Sequence, residues 1–338
     1  MLIDRSLTFP RDLIMIDGIS GSGKTMITAL MDAFSNCSIP SFNYNLEYIA
    51  ILKNQELISD NVAETFSKLI IDQLIYDSSI GREVNLRLRD LSSYLKSSKK
   101  WPVLYNMLKE DSNKTINNEL NRINFQTVIV HQLHKSSNIF VVKNRNFFRV
   151  VCTRHPLYLQ SHWESYLALQ CKTPRDFTLW KNNNSKPIPW FINRFETLYS
   201  DLDEINQAAI CISEITLDFF DFLASKPSNT LVFDFEKFTQ EPSLYINSLI
   251  NLVPNLKFND KRMNRIMRHQ KIPRSHISSG PNKKIYQRYG FKRIDSEISM
   301  SEDYNRKLNR ARYLLRPEVL DIFMHVSNLY EDKFGLWF

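Results

Sequence analysis

The chain has 338 residues, of which 43% are hydrophobic, and a formal net charge of +8. This composition is ample for a folded core, and the length suits two domains or one large α/β domain with insertions. The four cysteines are far apart and form no C-x-x-C pair, which argues against a zinc site and a disulfide framework and favours a reduced, cytoplasmic setting. No apolar run reaches membrane-spanning length, so we expect no membrane segment.

The positive charge is local. Residues 261–293 contain eleven Lys and Arg and no Asp or Glu, so the positive charge of this segment alone exceeds the net charge of +8 of the whole chain. Three interpretations are open for this basic segment: it closes over a nucleotide or an acidic acceptor, it binds nucleic acid, or it is a solvated surface. Nucleic acid is the less favoured partner because no recognition motif accompanies the charge.

The first predicted element is a buried strand over residues 13–16, which runs into glycines and then into a helix with apolar residues at helical spacing. Three of the chain's seven glycines fall in this turn. The spacing G-x4-G-K-T predicts a phosphate-binding loop, because glycines let the backbone N–H groups approach a phosphate closely at a helix N-terminus. The predicted nucleotide-binding residues here are Gly18, Gly21, Ser22, Gly23, Lys24 and Thr25.

Two helical insertions are predicted further along the chain. After a short strand near residues 41–44, a helical insertion is predicted near residues 46–121, and its part from residue 82 onward is polar, as expected of an insertion or lid. Residues 173–226 are predicted to be almost wholly helical, with Pro174 in a first turn.

Between these insertions lie two apolar segments of strand character, residues 127–130 and 148–152. The first runs into His131 and the second into Arg154, and the carboxyl ends of parallel strands are where ligands bind. His131 is therefore a candidate general base, with His134 as a nearby competitor and a structural histidine as the plainer interpretation. Arg154 is a candidate for a bidentate phosphate contact, with an ordinary ion pair as the alternative.

Three segments resemble the nucleotide-dependent sulfotransferases. Residues 128–131 are similar to the strand that ends in the family's catalytic histidine, and residues 150–156 with Ser161 are similar to its Arg-x-Pro…Ser motif. Residues 231–242 resemble the family's late strand and the helix that follows it. The resemblance implies a P-loop α/β fold, 3′-phosphoadenosine 5′-phosphosulfate as donor, and Arg154 and Ser161 as ligands of the 3′-phosphate. Arg154 and Ser161 are one residue closer together than the usual pair of the family.

We therefore expect residues 1–338 to form a single α/β domain with a P-loop NTPase-like three-layer fold, a central parallel sheet and large helical insertions. The predicted function is transfer of a sulfuryl group to a hydroxyl or amine acceptor, with Lys24 and His131 as catalytic residues and no metal. The alternative is a small-molecule kinase that uses ATP with Mg²⁺, which the kinase-like Lys24-Thr25 pair favours. Asp17 and Asp234 are the strand-end candidates for its magnesium carboxylate.

Overall fold

The computed structural model describes residues 9–82, 84–88, 93–109, 112–140, 145–171, 173–174, 176–183, 186–268 and 299–337. Strands in these ranges are β1 (Asp12–Gly18), β2 (Ser41–Phe42), β3 (Phe125–Ile129), β4 (Phe147–Thr153), β5 (Trp180–Asn183), β6 (Lys186–Pro189) and β7 (Thr230–Asp234). Five of them form one sheet in the order β2-β3-β1-β4-β7, and every neighbouring pair is parallel. The predicted α/β class with a central parallel sheet is confirmed.

Helices cover both faces of this sheet. Successive residues of β1 point to opposite sides, so Leu13 and Met15 join one hydrophobic cluster while Ile14 and Ile16 join another. Because both faces are covered, the strand is apolar throughout rather than alternating. The helices are α1 (Lys24–Met31), α2 (Tyr44–Asn54), α3 (Asp60–Ile80), α4 (Lys100–Met107), α5 (Asn113–Arg122), α6 (Pro156–Leu169), α7 (Glu196–Ser200), α8 (Glu204–Ala224), α9 (Phe235–Gln240), α10 (Pro242–Leu252), α11 (Asp260–Arg268), α12 (Met300–Leu314) and α13 (Pro317–Phe334).

The strand order brings the candidate residues to one edge. β1 is central and lies between β3 and β4, so the loop after β1 is flanked by the segments that follow those two strands. His131 follows β3 and Arg154 follows β4 directly. Because the three strands are parallel, their carboxyl ends meet at the same edge of the sheet.

The prediction that residues 173–226 are almost wholly helical was wrong in its first part. Residues 180–183 pair antiparallel with residues 186–189 as the β5–β6 hairpin, in which Trp180 lies opposite Pro189. Pro187 and Pro189 lack the backbone N–H that a helix interior needs, which explains why helix does not begin there. Helix resumes with α7 and α8.

Two further predictions concern membrane-spanning segments and the basic segment. No helix of the described ranges is both long enough and apolar enough to cross a membrane. Of the basic segment 261–293, residues 261–268 belong to α11, and the rest lies outside the described residues.

Candidate active site

The loop between β1 and α1 adopts a conformation that suits glycine. Gly18, Gly21 and Gly23 have φ angles of +131°, +92° and +94°. A Cβ atom at Gly18 would lie 2.1 Å from the carbonyl oxygen of Cys152 in the neighbouring strand β4, and one at Gly23 would lie 2.6 Å from the Phe235 ring. Gly18 is thus required by the close approach of β4 as well as by the turn itself.

Lys24, the first residue of α1, lies inside this loop. Its side chain is buried, and Nζ donates hydrogen bonds to the carbonyl oxygens of Gly18 at 2.5 Å and Ile19 at 3.1 Å. Desolvation by burial lowers the pKa of the Lys24 ammonium. Ser22 also bonds within the loop, through Oγ to the Ile19 carbonyl at 2.7 Å, while Thr25 is half-buried in the first turn of α1. The loop thus holds its one cation by its own backbone carbonyls.

The two strand-end aspartates are engaged in holding the backbone. Asp17 is fully buried, and its Oδ1 accepts from the backbone N–H of Gly18 at 2.6 Å and of Leu133 at 3.1 Å. Asp234 caps α9 by accepting from the N–H of Lys237 at 2.9 Å, and it accepts from the hydroxyl of Tyr330 at 2.9 Å. Asp17 therefore ties the loop to the segment that follows β3.

His131 forms a close pair with an acid that the sequence did not single out. Its Nδ1 lies 2.7 Å from Oε1 of Glu47 in α2, and its ring stacks on Phe42 with ring centroids 5.3 Å apart and an interplanar angle of 13°. An ionised carboxylate only accepts hydrogen bonds, so Nδ1 of His131 carries the proton. In the neutral form of this imidazole, the lone pair is then on Nε2.

His134, the competing histidine, has different surroundings. It is 3% exposed, and its ring packs against Phe219 and Phe222 with Nδ1 3.9 Å from Oδ2 of Asp17. Desolvation lowers the pKa of His134. Its position beneath the loop is that of a core residue rather than a surface base.

Arg154 lies between two aromatic rings beside the loop. Its guanidinium carbon is 4.0 Å from the ring centroid of Phe235 and 5.6 Å from that of Tyr158, and Nε donates to Oε1 of Glu236 at 3.2 Å. Burial raises the pKa of Glu236 to about 7, although the nearby Arg154 acts in the opposite direction. Ser161 is exposed on α6.

Another histidine, His162 of α6, reaches the loop. Its Nε2 lies 3.0 Å from Oγ of Ser20, and a Cβ atom on Gly21 would lie 3.0 Å from the His162 ring. Desolvation, together with the positive charges of Arg154 and Lys24, lowers the pKa of His162 from 6.5 to about 4. At neutral pH this imidazole is uncharged, so it lines the site without adding positive charge.

The depressed pKa of His162 predicts a pH dependence of stability. The unfolded chain takes up this proton near pH 6.5 and the folded chain near pH 4, so between these values the unfolded state binds more protons and the free energy of unfolding falls as the pH falls. In His162→Gln we expect the decrease in the urea midpoint between pH 6.5 and pH 4 to be smaller. An unchanged pH profile in His162→Gln would show that His162 does not cause the pH dependence of stability.

A cavity of about 210 Å³ opens between the loop and the His131–Glu47 pair. Ser20 and His162 line it on the loop side, and its remaining wall is largely aromatic. The cavity thus places Ser20, His131 and Glu47 around one small volume at the carboxyl edge of the sheet. Glu47 and His131 are 84 residues apart in the chain, and Ser20 and His162 are 142 residues apart.

No protein-family model and no curated protein matches this sequence. Among solved structures, the sulfotransferase domain from the Synechococcus PCC 7002 olefin synthase aligns over 98% of both chains, with 11% identity and a TM-score of 0.43. The sulfotransferase domain from the curacin biosynthetic pathway aligns over 90% of this chain and 99% of that domain, with 12% identity and a TM-score of 0.39. Likenesses at this level carry no information about activity.

Three of the cavity's polar residues were not predicted from the sequence: Ser20, Glu47 and His162. Ser20 lies within the glycine-rich loop, and its position there was the one available signal. Glu47 is in the first turn of α2, where an acid is favourable at any helix N-terminus and so is not distinctive. His162 lies on α6, and nothing in the local sequence indicates that its imidazole contacts the loop.

Proposed function

We propose that the protein transfers a sulfuryl group from 3′-phosphoadenosine 5′-phosphosulfate to a hydroxyl or amine acceptor. The observation that carries the proposal is the cavity that has the glycine-rich loop on one side and the His131–Glu47 pair on the other. Ser20 of the loop lines the cavity, and beside it the loop holds a buried cation, Lys24, and backbone amides that suit an anionic leaving group. On the other side, the imidazole of His131 has a lone pair in its neutral form, as proton abstraction requires.

The loop residues fit a phosphate-bearing donor. Gly18, Gly21 and Gly23 keep side chains away from the turn, and Lys24 is held by carbonyl oxygens of the same loop. When bound, the donor would supply an activated sulfuryl group. In this proposal the loop amides and Lys24 bind the 5′-phosphate, while Arg154, beside Phe235 at the end of β4, binds the 3′-phosphate.

His131 acts as the base. The carboxylate of Glu47 accepts a hydrogen bond from Nδ1–H, which fixes the tautomer and leaves Nε2 to receive a proton from the acceptor. The same carboxylate then stabilises the imidazolium that forms. The stacked ring of Phe42 limits rotation of the imidazole. Positioning and fixed charges supply most of the rate in this scheme.

Titration calorimetry tests the donor and separates it from the kinase alternative. We expect 3′,5′-diphosphoadenosine to bind in the presence of a chelator, and more tightly than ATP does with Mg²⁺. The kinase is favoured by the Lys24-Thr25 sequence, but both candidate magnesium carboxylates, Asp17 and Asp234, accept backbone hydrogen bonds. Magnesium-dependent ATP binding without affinity for 3′-phosphorylated nucleotides would reject sulfuryl transfer and favour the kinase.

Arg154→Lys is expected to weaken the binding of 3′,5′-diphosphoadenosine far more than that of adenosine 5′-phosphate. Lysine keeps the charge but loses the planar fork that contacts a phosphate bidentately and stacks on Phe235. Calorimetry on both ligands measures the difference, which we expect to be on the order of tenfold, the loss of about one charge-assisted hydrogen bond. Equal weakening of both ligands would assign Arg154 a role away from the 3′-phosphate.

A further inference from the structure

Aromatic side chains form a large part of the cavity wall. Six of its lining residues carry aromatic rings that adjoin one another: Tyr44 and Phe177 stack with centroids 4.7 Å apart, and Phe191 packs edge-on against two tryptophans. The six are Tyr44, Trp163, Tyr166, Phe177, Trp190 and Phe191. Aromatic faces attract cations because the ring quadrupole places negative charge above and below the plane.

Glu47 supplies a negative charge to the cavity. Among the described residues that line it, Glu47 is the carboxylate, and none is a lysine or an arginine. His162 does not compensate this charge, because its lowered pKa leaves it neutral at pH 7. An ammonium ion in the cavity would therefore face this carboxylate without competition from a lysine or arginine of the described lining.

The carboxylate of Glu47 can accept a further hydrogen bond from a ligand. Glu47 is 7% exposed, and Oε1 accepts the bond from His131. No described residue donates a hydrogen bond to its other oxygen, Oε2. A charged donor forms a stronger hydrogen bond to a carboxylate than a neutral donor does, so a cationic ligand would bind at this oxygen more tightly than a neutral one.

We propose that the acceptor is a small amine, bound in the cavity as an ammonium ion against Glu47 and the aromatic wall. An anionic acceptor would meet the negative charge of Glu47 without a described cation in the wall. A neutral alcohol would donate one hydrogen bond but would gain neither the ion pair nor the contact of a cation with the rings. The volume of about 210 Å³ lies below the usual range of roughly 300–1,000 Å³ for ligand pockets, which favours a molecule of one ring or less.

The chemistry of this proposal rests on the proposed sulfuryl transfer. Once the bound amine turns from Glu47 towards the other side of the imidazole, Nε2 of His131 takes one proton from the ammonium and exposes the nitrogen lone pair. The N–S bond then forms, the bond between sulfur and the oxygen of the 5′-phosphate breaks, and its electron pair stays on that phosphate oxygen. A second proton leaves the nitrogen to water, and the product is a sulfamate.

Three ligands of matched shape test the inference without any nucleotide: benzylamine, benzyl alcohol and benzoate. We expect calorimetry at pH 7 to give affinities in the order amine, alcohol, acid, with benzylamine about tenfold tighter than benzyl alcohol, the difference between a hydrogen bond to a charged donor and one to a neutral donor. Glu47→Gln should remove this preference while benzyl alcohol still binds. Glu64→Gln, which changes an exposed carboxylate on α3, is the matched control and should keep the preference.

The outcomes are distinct. Benzyl alcohol or benzoate binding as tightly as benzylamine to the unaltered protein overturns the inference, as does binding of none of the three, and neither result requires Glu47→Gln to fold. A preference for benzylamine that survives in Glu47→Gln also overturns it. Failure of the nucleotide titration would instead reject the sulfuryl donor, and it would leave the measured amine preference of the cavity intact.

Discussion

His131→Ala is expected to slow transfer by about 10²–10⁴ while the donor still binds, which is the range for loss of a general base. The reason is geometric: His131 lines the cavity, and its Nδ1 lies 2.7 Å from Glu47, so Nε2 remains as the proton acceptor. Single-turnover measurements with saturating donor isolate the chemical step, and calorimetry with 3′,5′-diphosphoadenosine checks that the nucleotide site is intact.

His134→Ala is the matched control for this prediction. Because His134 packs against Phe219 and Phe222, its removal should lower the free energy of unfolding, by roughly 2 kcal/mol as for other buried truncations, and have much less effect on the rate. If the single-turnover rate fell for His134→Ala and not for His131→Ala, the base would be His134 and the assignment to His131 would be wrong.

Lys24→Ala is expected to weaken nucleotide binding and to lower the rate by about 10²–10³, as loss of one donor at a developing anion does. In the structure Nζ of Lys24 is held by the carbonyl oxygens of Gly18 and Ile19. We therefore expect Nζ to exchange these bonds for a phosphate oxygen when a nucleotide binds. Nucleotide titration and steady-state rates of the purified variant measure both effects.

The control for Lys24→Ala is Lys53→Ala, which removes a lysine that pairs with Asp60 on the surface. It should leave both nucleotide affinity and rate unchanged. Thermal unfolding of Lys24→Ala without nucleotide distinguishes loss of binding from loss of fold. Normal affinity and turnover in a folded Lys24→Ala protein would show that the loop does not bind the donor.

The elements that the sequence predicted correctly are those with a local signal. The apolar runs before Gly18, before His131 and before Arg154 are strands, and they are parallel neighbours in the sheet. The β5–β6 hairpin was not predicted because each of its strands is decided by pairing with the other and not by its own propensity.

By itself, the sequence determined the glycine-rich loop with Lys24, the buried parallel strands and the two strand-end candidates, because spacing and periodicity within one segment are enough to specify these features. The tertiary structure alone decided that Glu47 pairs with His131 rather than with solvent, that His134 is buried, and that His162 contacts Ser20. These contacts join segments 84 and 142 residues apart. Which side chains meet at such separations depends on how helices pack over the sheet edge, and no local pattern carries that information.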